Sequence, residues 1–341
     1  MRRFGSCDLV ASRFLAFLPF LTLSSGSTGE SLCPAPDPIS PCTCESNGIV
    51  DCSRANTSEE ISSAFGNVTW PSTRLSVFRL MNNEGVKCLP EGIFGNVSFQ
   101  EIHVLRTGLV TVDPSALLTS KDRLEYLSIS NSLLEEFPFH ILPRMTHLAT
   151  LRLASNALRR VPALASSSLR DVMLFGNRID ALEPGWSTPG LESLDISYNP
   201  VYKLIPGLFE GMPNFKSFLA SACNLGPVLL NGTLAFHSDA LIAVFLQDNN
   251  IERLEPGAIT GLNGNVQIFL DGNKITDVTD GSFRSILEVL ASGEDGAIIL
   301  WSEFRSFADR FRLSRLVQLR GGLLSSCREP DQMRFLDQAR S

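Results

Sequence analysis

The side chains best suited to chemistry in this chain are its eight cysteines and four histidines. Four of the cysteines, Cys33, Cys42, Cys44 and Cys52, fall within twenty residues. Such density suits two disulfides or a bound metal. Zinc sites favour C-x2-C pairs or close imidazoles, whereas the close pair here is Cys42-Thr-Cys44 and no histidine lies nearby. Two disulfides are therefore expected, with three connectivities open. The histidines, at 103, 140, 147 and 237, form no H-E-x-x-H pattern. No G-x-S-x-G, P-loop or dinucleotide fingerprint is present, and no two carboxylates are placed as an acid–base pair. The expectation is a chain with no catalytic, cofactor-binding or metal-binding residue. An enzyme with an unrecognised site is one alternative.

Disulfides need an oxidising compartment, and the chain start agrees. Arg2, Arg3 and Arg13 precede an apolar run over residues 14–23, followed by Ser24, Ser25 and Gly26. That order predicts a cleaved secretory signal over residues 1–26, cut between Gly26 and Gly29. The run is about half the ~20 residues a membrane span requires. No later segment is long and apolar enough to span, and the C-terminus lacks a lipid-anchor tail. A secreted, extracellular protein is expected. Four sequons, at Asn56, Asn67, Asn96 and Asn231, predict glycosylation there. The net charge of −7, with 24 arginines and five lysines, argues against nucleic-acid binding. With 44% hydrophobic and 19% charged residues the chain should fold.

The element that positions these residues is a repeat. Leu191, Leu194, Ile196, Asn199 and Val201 spell L-x-x-L-x-L-x-x-N-x-L. The frame recurs at Leu148, Leu151, Leu153, Asn156; at Leu169, Val172, Leu174, Asn177; and at Leu241, Val244, Leu246, Asn249. Leu75, Phe78, Leu80 and Asn83 match it near the start. Ile268, Leu270 and Asn273 match near the end, with Asn265 at the first leucine position. Weaker copies place Thr107, Ser132 and Cys223 at the asparagine position. The nine starts lie 21 to 26 residues apart, the spacing of leucine-rich repeats. Each L-x-L is a short strand with inward leucines. No single copy can bury its own face, so stability comes from stacking. The asparagine amide satisfies backbone groups that the turn out of the strand would otherwise leave buried, and Cys223 reads as a buried structural thiol. Stretches such as Leu89 to Phe94 and Ile205 to Phe209 should close the core from outside. The predicted fold is an α/β solenoid, a leucine-rich-repeat horseshoe with a parallel β-sheet on its concave face. Its organisation is a cysteine-rich N-terminal cap over 30–70, about nine repeats over 71–300, and an atypical tail over 301–341.

Between the core leucines, the residues Arg79, His103, Ser128, Arg152, Met173, Asp195, Leu219, Phe245 and Phe269 project from the concave face. Neighbouring strands lie ~4.8 Å apart, so these side chains form one stripe. Its last three members are apolar, and Phe175 points the same way as Met173. Met173, Phe175, Leu219, Phe245 and Phe269 are the candidate partner-binding residues. The tail differs from all this. It carries eight arginines, no lysine and the isolated Cys327, and Glu303 stands where a tenth asparagine belongs. The abrupt break favours a changed reading frame or alternative exon over a basic amphipathic helix along Phe304, Phe307, Phe311 and Leu316.

The segment CPAPDPISPCTCESNGIVDC, residues 33–52, resembles the N-terminal caps of secreted leucine-rich-repeat proteins. That resemblance implies the pairs Cys33–Cys44 and Cys42–Cys52. Extended by Ser53, and together with GSFRSILEVLASGEDGAIIL, residues 281–300, it also resembles the leucine-rich, non-catalytic subunit of Oplophorus-luciferin 2-monooxygenase and related arthropod secreted proteins. In that family a cysteine-bearing C-terminal cap follows the second segment, and none follows here. The resemblance implies a companion role beside a small catalytic chain and supplies no catalytic residues. The expected function is a secreted, non-catalytic scaffold or accessory subunit that binds a protein partner. A soluble pattern-recognition protein binding microbial glycan or lipid is the other alternative.

Overall fold

A strand of three residues can place one or two side chains inward, too few to hold a fold alone, so the sheet must be built by stacking. The computed structural model describes residues 31–276, 280–301 and 317–320. Among the described residues thirteen strands join one sheet, and apart from the first antiparallel pair, Thr43–Cys44 with Ile49–Asp51, all its pairs are parallel. The early strands Arg74–Asn83 and Ser98–Thr107 are ten residues long. Tyr126–Ser130 follows, and then three-residue strands: Thr150–Arg152, Asp171–Met173, Ser193–Asp195, Ser217–Leu219, Ala243–Phe245 and Gln267–Phe269. Ala297–Trp301 and Val317–Arg320 extend the order.

The register puts one inward residue per strand in line: Val50, Phe78, Ile102, Leu127, Leu151, Val172, Leu194, Phe218, Val244, Ile268 and Ile298. Every one is buried. Burial of such a side chain is worth roughly 1.5–3 kcal/mol, and here each draws that gain from the turns on either side. Leu153, Leu174 and Ile196, the next inward position, are likewise fully buried. Behind the sheet, Leu89 from a two-residue strand and Ile93, Phe94, Leu208 and Phe209 from turns close the core. Two phenylalanine clusters thicken it. Phe65, Phe78, Phe94 and Phe99 meet edge-on or tilted near the front, and Phe209, Phe215, Phe218 and Phe236 cluster further along, with Phe215 and Phe236 stacked.

The ladder asparagines do what their dual amide permits. Asn199 donates through Nδ2 to the carbonyls of Leu174 (3.0 Å) and Ile196 (2.8 Å), while its Oδ1 accepts from the Ile179 N–H at 3.0 Å. Asn156, Asn177 and Asn273 repeat this bridge between adjacent turns. Thr107 and Ser132 instead pair hydroxyl to hydroxyl at 2.9 Å. Cys223 is fully buried and its thiol donates to the Ile196 carbonyl at 3.2 Å. Burial pushes that thiol up to about 12, so it stays protonated and inert.

At the front, Cys33 pairs with Cys44 and Cys42 with Cys52. Ile49–Asp51 then runs parallel to Arg74–Asn83, so the cap is itself the first layer of the sheet. The helix Ser58–Gly66 follows, with the Thr57 hydroxyl accepting from the Glu60 N–H at its start. At the far end two differences from the sequence frame emerge. The ninth copy enters the core through Val266, fully buried, while Asn265 is exposed and its Oδ1 accepts from the Glu294 N–H. Val317–Arg320 pairs in parallel with Ala297–Trp301, so strand order continues past residue 301. Phe304, Phe307, Phe311, Leu316 and Cys327 lie outside the described residues, as does the segment 1–26 expected to be a secretory signal.

Candidate protein-binding face

The face of the sheet opposite the core carries the residues between the inward leucines, in the same register. Asp51, Arg79, His103, Ser128, Arg152, Met173, Asp195, Leu219, Phe245, Phe269 and Ile299 form its central row. The two ends of the row differ in chemistry. In the front half, His103 stacks on Tyr126 with ring centres 4.9 Å apart, and its Nε2 lies 2.7 Å from Glu101 Oε2. Arg152 stands over the Phe175 ring at 6.0 Å, a cation–π distance. Phe175 thus lies beside Arg152, a member of the central row. In the back half, Phe245 and Phe269 stack almost parallel, 7° between planes and 4.5 Å between centres. Leu219 continues the row beside Phe245. Met173, Phe175, Leu219, Phe245 and Phe269 are all half-buried.

Beside the apolar row runs a polar one. Ser221 donates through Oγ to Gln247 Oε1 at 2.8 Å. On the other flank Glu192 bridges Arg170 (2.9 Å) and Lys216 (2.6 Å), joining three successive turns. Those two hydrogen-bonded cations hold the Glu192 carboxyl below its usual range. Asp171, partly buried and close to Glu192, is pushed upward by burial first and by its acidic neighbour second. The arrangement offers stacked rings and a line of charge. Among the described residues no group of three or more histidine, cysteine or carboxylate side chains converges as a metal site. No described helix is long and apolar enough to cross a membrane.

The four sequon asparagines, Asn56, Asn67, Asn96 and Asn231, are all exposed and all lie outside the sheet strands. Cys88 is a free, half-buried thiol beside the Ser58 hydroxyl. Two features were not visible in the leucine frame. The residue ahead of each ladder position has a left-handed backbone in all nine copies, at Asn82, Arg106, Asn131, Ser155, Gly176, Tyr198, Ala222, Asp248 and Gly272. A cleft also opens where the chain leaves the third to fifth strands of the repeats. Its only sequence trace is the doublets Glu135-Glu136 and Arg159-Arg160, three and four residues beyond their ladder positions.

No family model matches the chain. It is 28% identical over 273 residues to the Oplophorus-luciferin 2-monooxygenase non-catalytic subunit of Oplophorus gracilirostris, covering 76% of this chain and 73% of that protein. It is 28% identical over 182 residues to Podocan of Mus musculus, covering 46% of this chain and 30% of that one. For Tsukushi of Rattus norvegicus the identity is 27% over 203 residues, covering 50% and 57%. The first of these agrees with the resemblance drawn from residues 33–53 and 281–300. Among solved structures, a chain of the octameric complex of Latrophilin 3 (Lec, Olf), Unc5D (Ig, Ig2, TSP1) and FLRT2 (LRR) matches with a TM-score of 0.54. That match has 15% identity and covers 87% of this chain and 95% of the other. It supports the leucine-rich-repeat fold.

Proposed function

We propose that this leucine-rich-repeat protein is a secreted, non-catalytic scaffold that holds a protein partner against its sheet face. The contact is made through Met173, Phe175, Leu219, Phe245 and Phe269. The observation that carries this reading is the parallel stack of Phe245 on Phe269, half-buried in a row that Leu219 extends. Rings fixed against each other lose little freedom when a partner covers them, and buried aromatic anchors supply most of an interface's energy. Likeness to a protein named as a non-catalytic subunit supports a companion role, and a catalytic chain is one partner of that kind. The leader over residues 1–26, the two disulfides and the exposed sequons support an extracellular site, with glycans on Asn56, Asn67, Asn96 and Asn231.

The test is affinity capture from native extracellular fluid with the tagged, secreted chain. The wild type should retain a stoichiometric protein, and Phe245→Ala with Phe269→Ala should cut that capture at least tenfold. The melting temperature should fall by no more than about 3 °C. A large loss of stability would identify the rings as core, and retention on microbial surface sugars without a protein partner would replace the reading with glycan recognition.

A further inference from the structure

The turns that carry the chain out of the sheet assemble a second set of side chains, away from the strand residues discussed so far. Glu135 and Glu136 come from the turn after Tyr126–Ser130, Arg159 and Arg160 from the next, and Arg178 from the one after that. Between them lies a cleft of about 580 Å³. Phe137 and Phe139 form its apolar floor, edge to face with centres 5.0 Å apart and each almost wholly buried. The charged side chains around that floor are exposed. Among the described residues, no hydrogen bond or ion pair engages the guanidinium groups of Arg159, Arg160 and Arg178 or the carboxylates of Glu135 and Glu136.

We propose that this cleft binds an acidic peptide segment of a protein partner. An apolar side chain of the segment packs on Phe137 and Phe139, and its carboxylates pair with the three arginines. Guanidinium groups take carboxylates in two parallel hydrogen bonds, a geometry lysine does not offer. The glutamate pair decides between ligand classes. A uniform polyanion such as a sulfated glycan would run its charge onto Glu135 and Glu136, and like-charge contact rejects it. A peptide places acidic residues only where the arginines stand and neutral or basic ones beside the glutamates. The sequons leave residues 97–230 without a glycan acceptor, so the turns walling the cleft carry no N-linked sugar.

The secreted full chain is titrated with fluorescein-labelled Lys-Ser-Phe-Asp-Glu, acidic on one side of its ring only, and with its Lys-Ser-Phe-Asn-Gln isostere, using a heparin oligosaccharide as competitor. The acidic peptide should bind at least tenfold tighter than the isostere and should resist displacement by heparin. Arg159→Glu with Arg178→Glu should weaken it at least tenfold with an unchanged melting temperature, since both side chains are exposed. Phe245→Ala with Phe269→Ala should leave the titration as it was, which separates this site from the sheet face. Equal binding of the two peptides, or an unaltered titration in the arginine variant, overturns the proposal. Displacement by heparin, strengthened in Glu135→Gln with Glu136→Gln, overturns it in favour of a polyanionic glycan.

Discussion

Among the described residues nine side chains sit on a left-handed backbone that suits glycine better, and seven of them share one place in the repeat. Just ahead of each ladder residue the chain turns out of its strand with φ between 50° and 57° at Asn82, Arg106, Asn131, Ser155, Tyr198, Ala222 and Asp248. Only Gly176 and Gly272 meet that geometry without a Cβ. The left-handed region costs an ordinary L-residue roughly 1–2 kcal/mol, and asparagine and aspartate tolerate it better than the rest. The turn is kept because it delivers the ladder side chain inward, where Asn199 and its counterparts satisfy carbonyls of two turns at once. Ala222 has no local hydrogen bond from its side chain to offset the strain. Ala222→Gly should therefore raise stability by about 0.5–1 kcal/mol, after the extra freedom glycine gains in the unfolded chain is subtracted. Urea denaturation at constant m-value measures it, and a loss of stability would mean the strain is relieved elsewhere.

At the scale of strands and turns, the bridge Arg170–Glu192–Lys216 ties three neighbouring layers along one edge of the face. Because the folded carboxyl of Glu192 is held below its unfolded value of ~4.3, its contribution is present above that value and is lost as pH falls through the folded one. Asp171 works in the opposite sense. Its raised value favours the fold while protonated, and that contribution fades as pH rises through the folded value. Glu192→Gln should lower the urea midpoint near neutral pH and converge with the wild type in acid, whereas a pH-independent gap would show that packing, not charge, is lost. Such cross-turn bridges were not legible in the sequence, because Arg170, Glu192 and Lys216 lie outside the leucine frame and meet only through register. The inward rows were legible, since a stacked core admits only apolar residues at positions such as Leu151, Val172 and Leu194. The central row of the face followed from the same alternation, so Phe245 and Phe269 could be placed before their stacking was known. The left-handed turn stayed hidden because residues as ordinary as Arg106 and Tyr198 occupy it, and the cleft because its walls belong to turns whose course the repeat does not set.

Among the described residues each strand of the sheet pairs only with the strands of the neighbouring turns, so stability is a sum of unit and interface contributions rather than one indivisible core. Leu151 sits in register between Leu127 and Val172 with no exposure to solvent. Leu151→Ala should cost about 2–5 kcal/mol through lost burial and the cavity left behind. Hydrogen exchange should show that loss concentrated in Tyr126–Ser130, Thr150–Arg152 and Asp171–Met173. Ile49–Asp51, fixed beside the Cys33–Cys44 and Cys42–Cys52 bridges, should keep its protection. Equal loss in every strand would instead reveal a single cooperative unit. If the damage stays local, Phe245 and Phe269 remain stacked several strands away, and the variant should capture its partner as the wild type does while melting earlier. A nearest-neighbour architecture thus lets the face evolve in patches, with contact residues exchanged at one end of the row and the packing that supports the other end left intact.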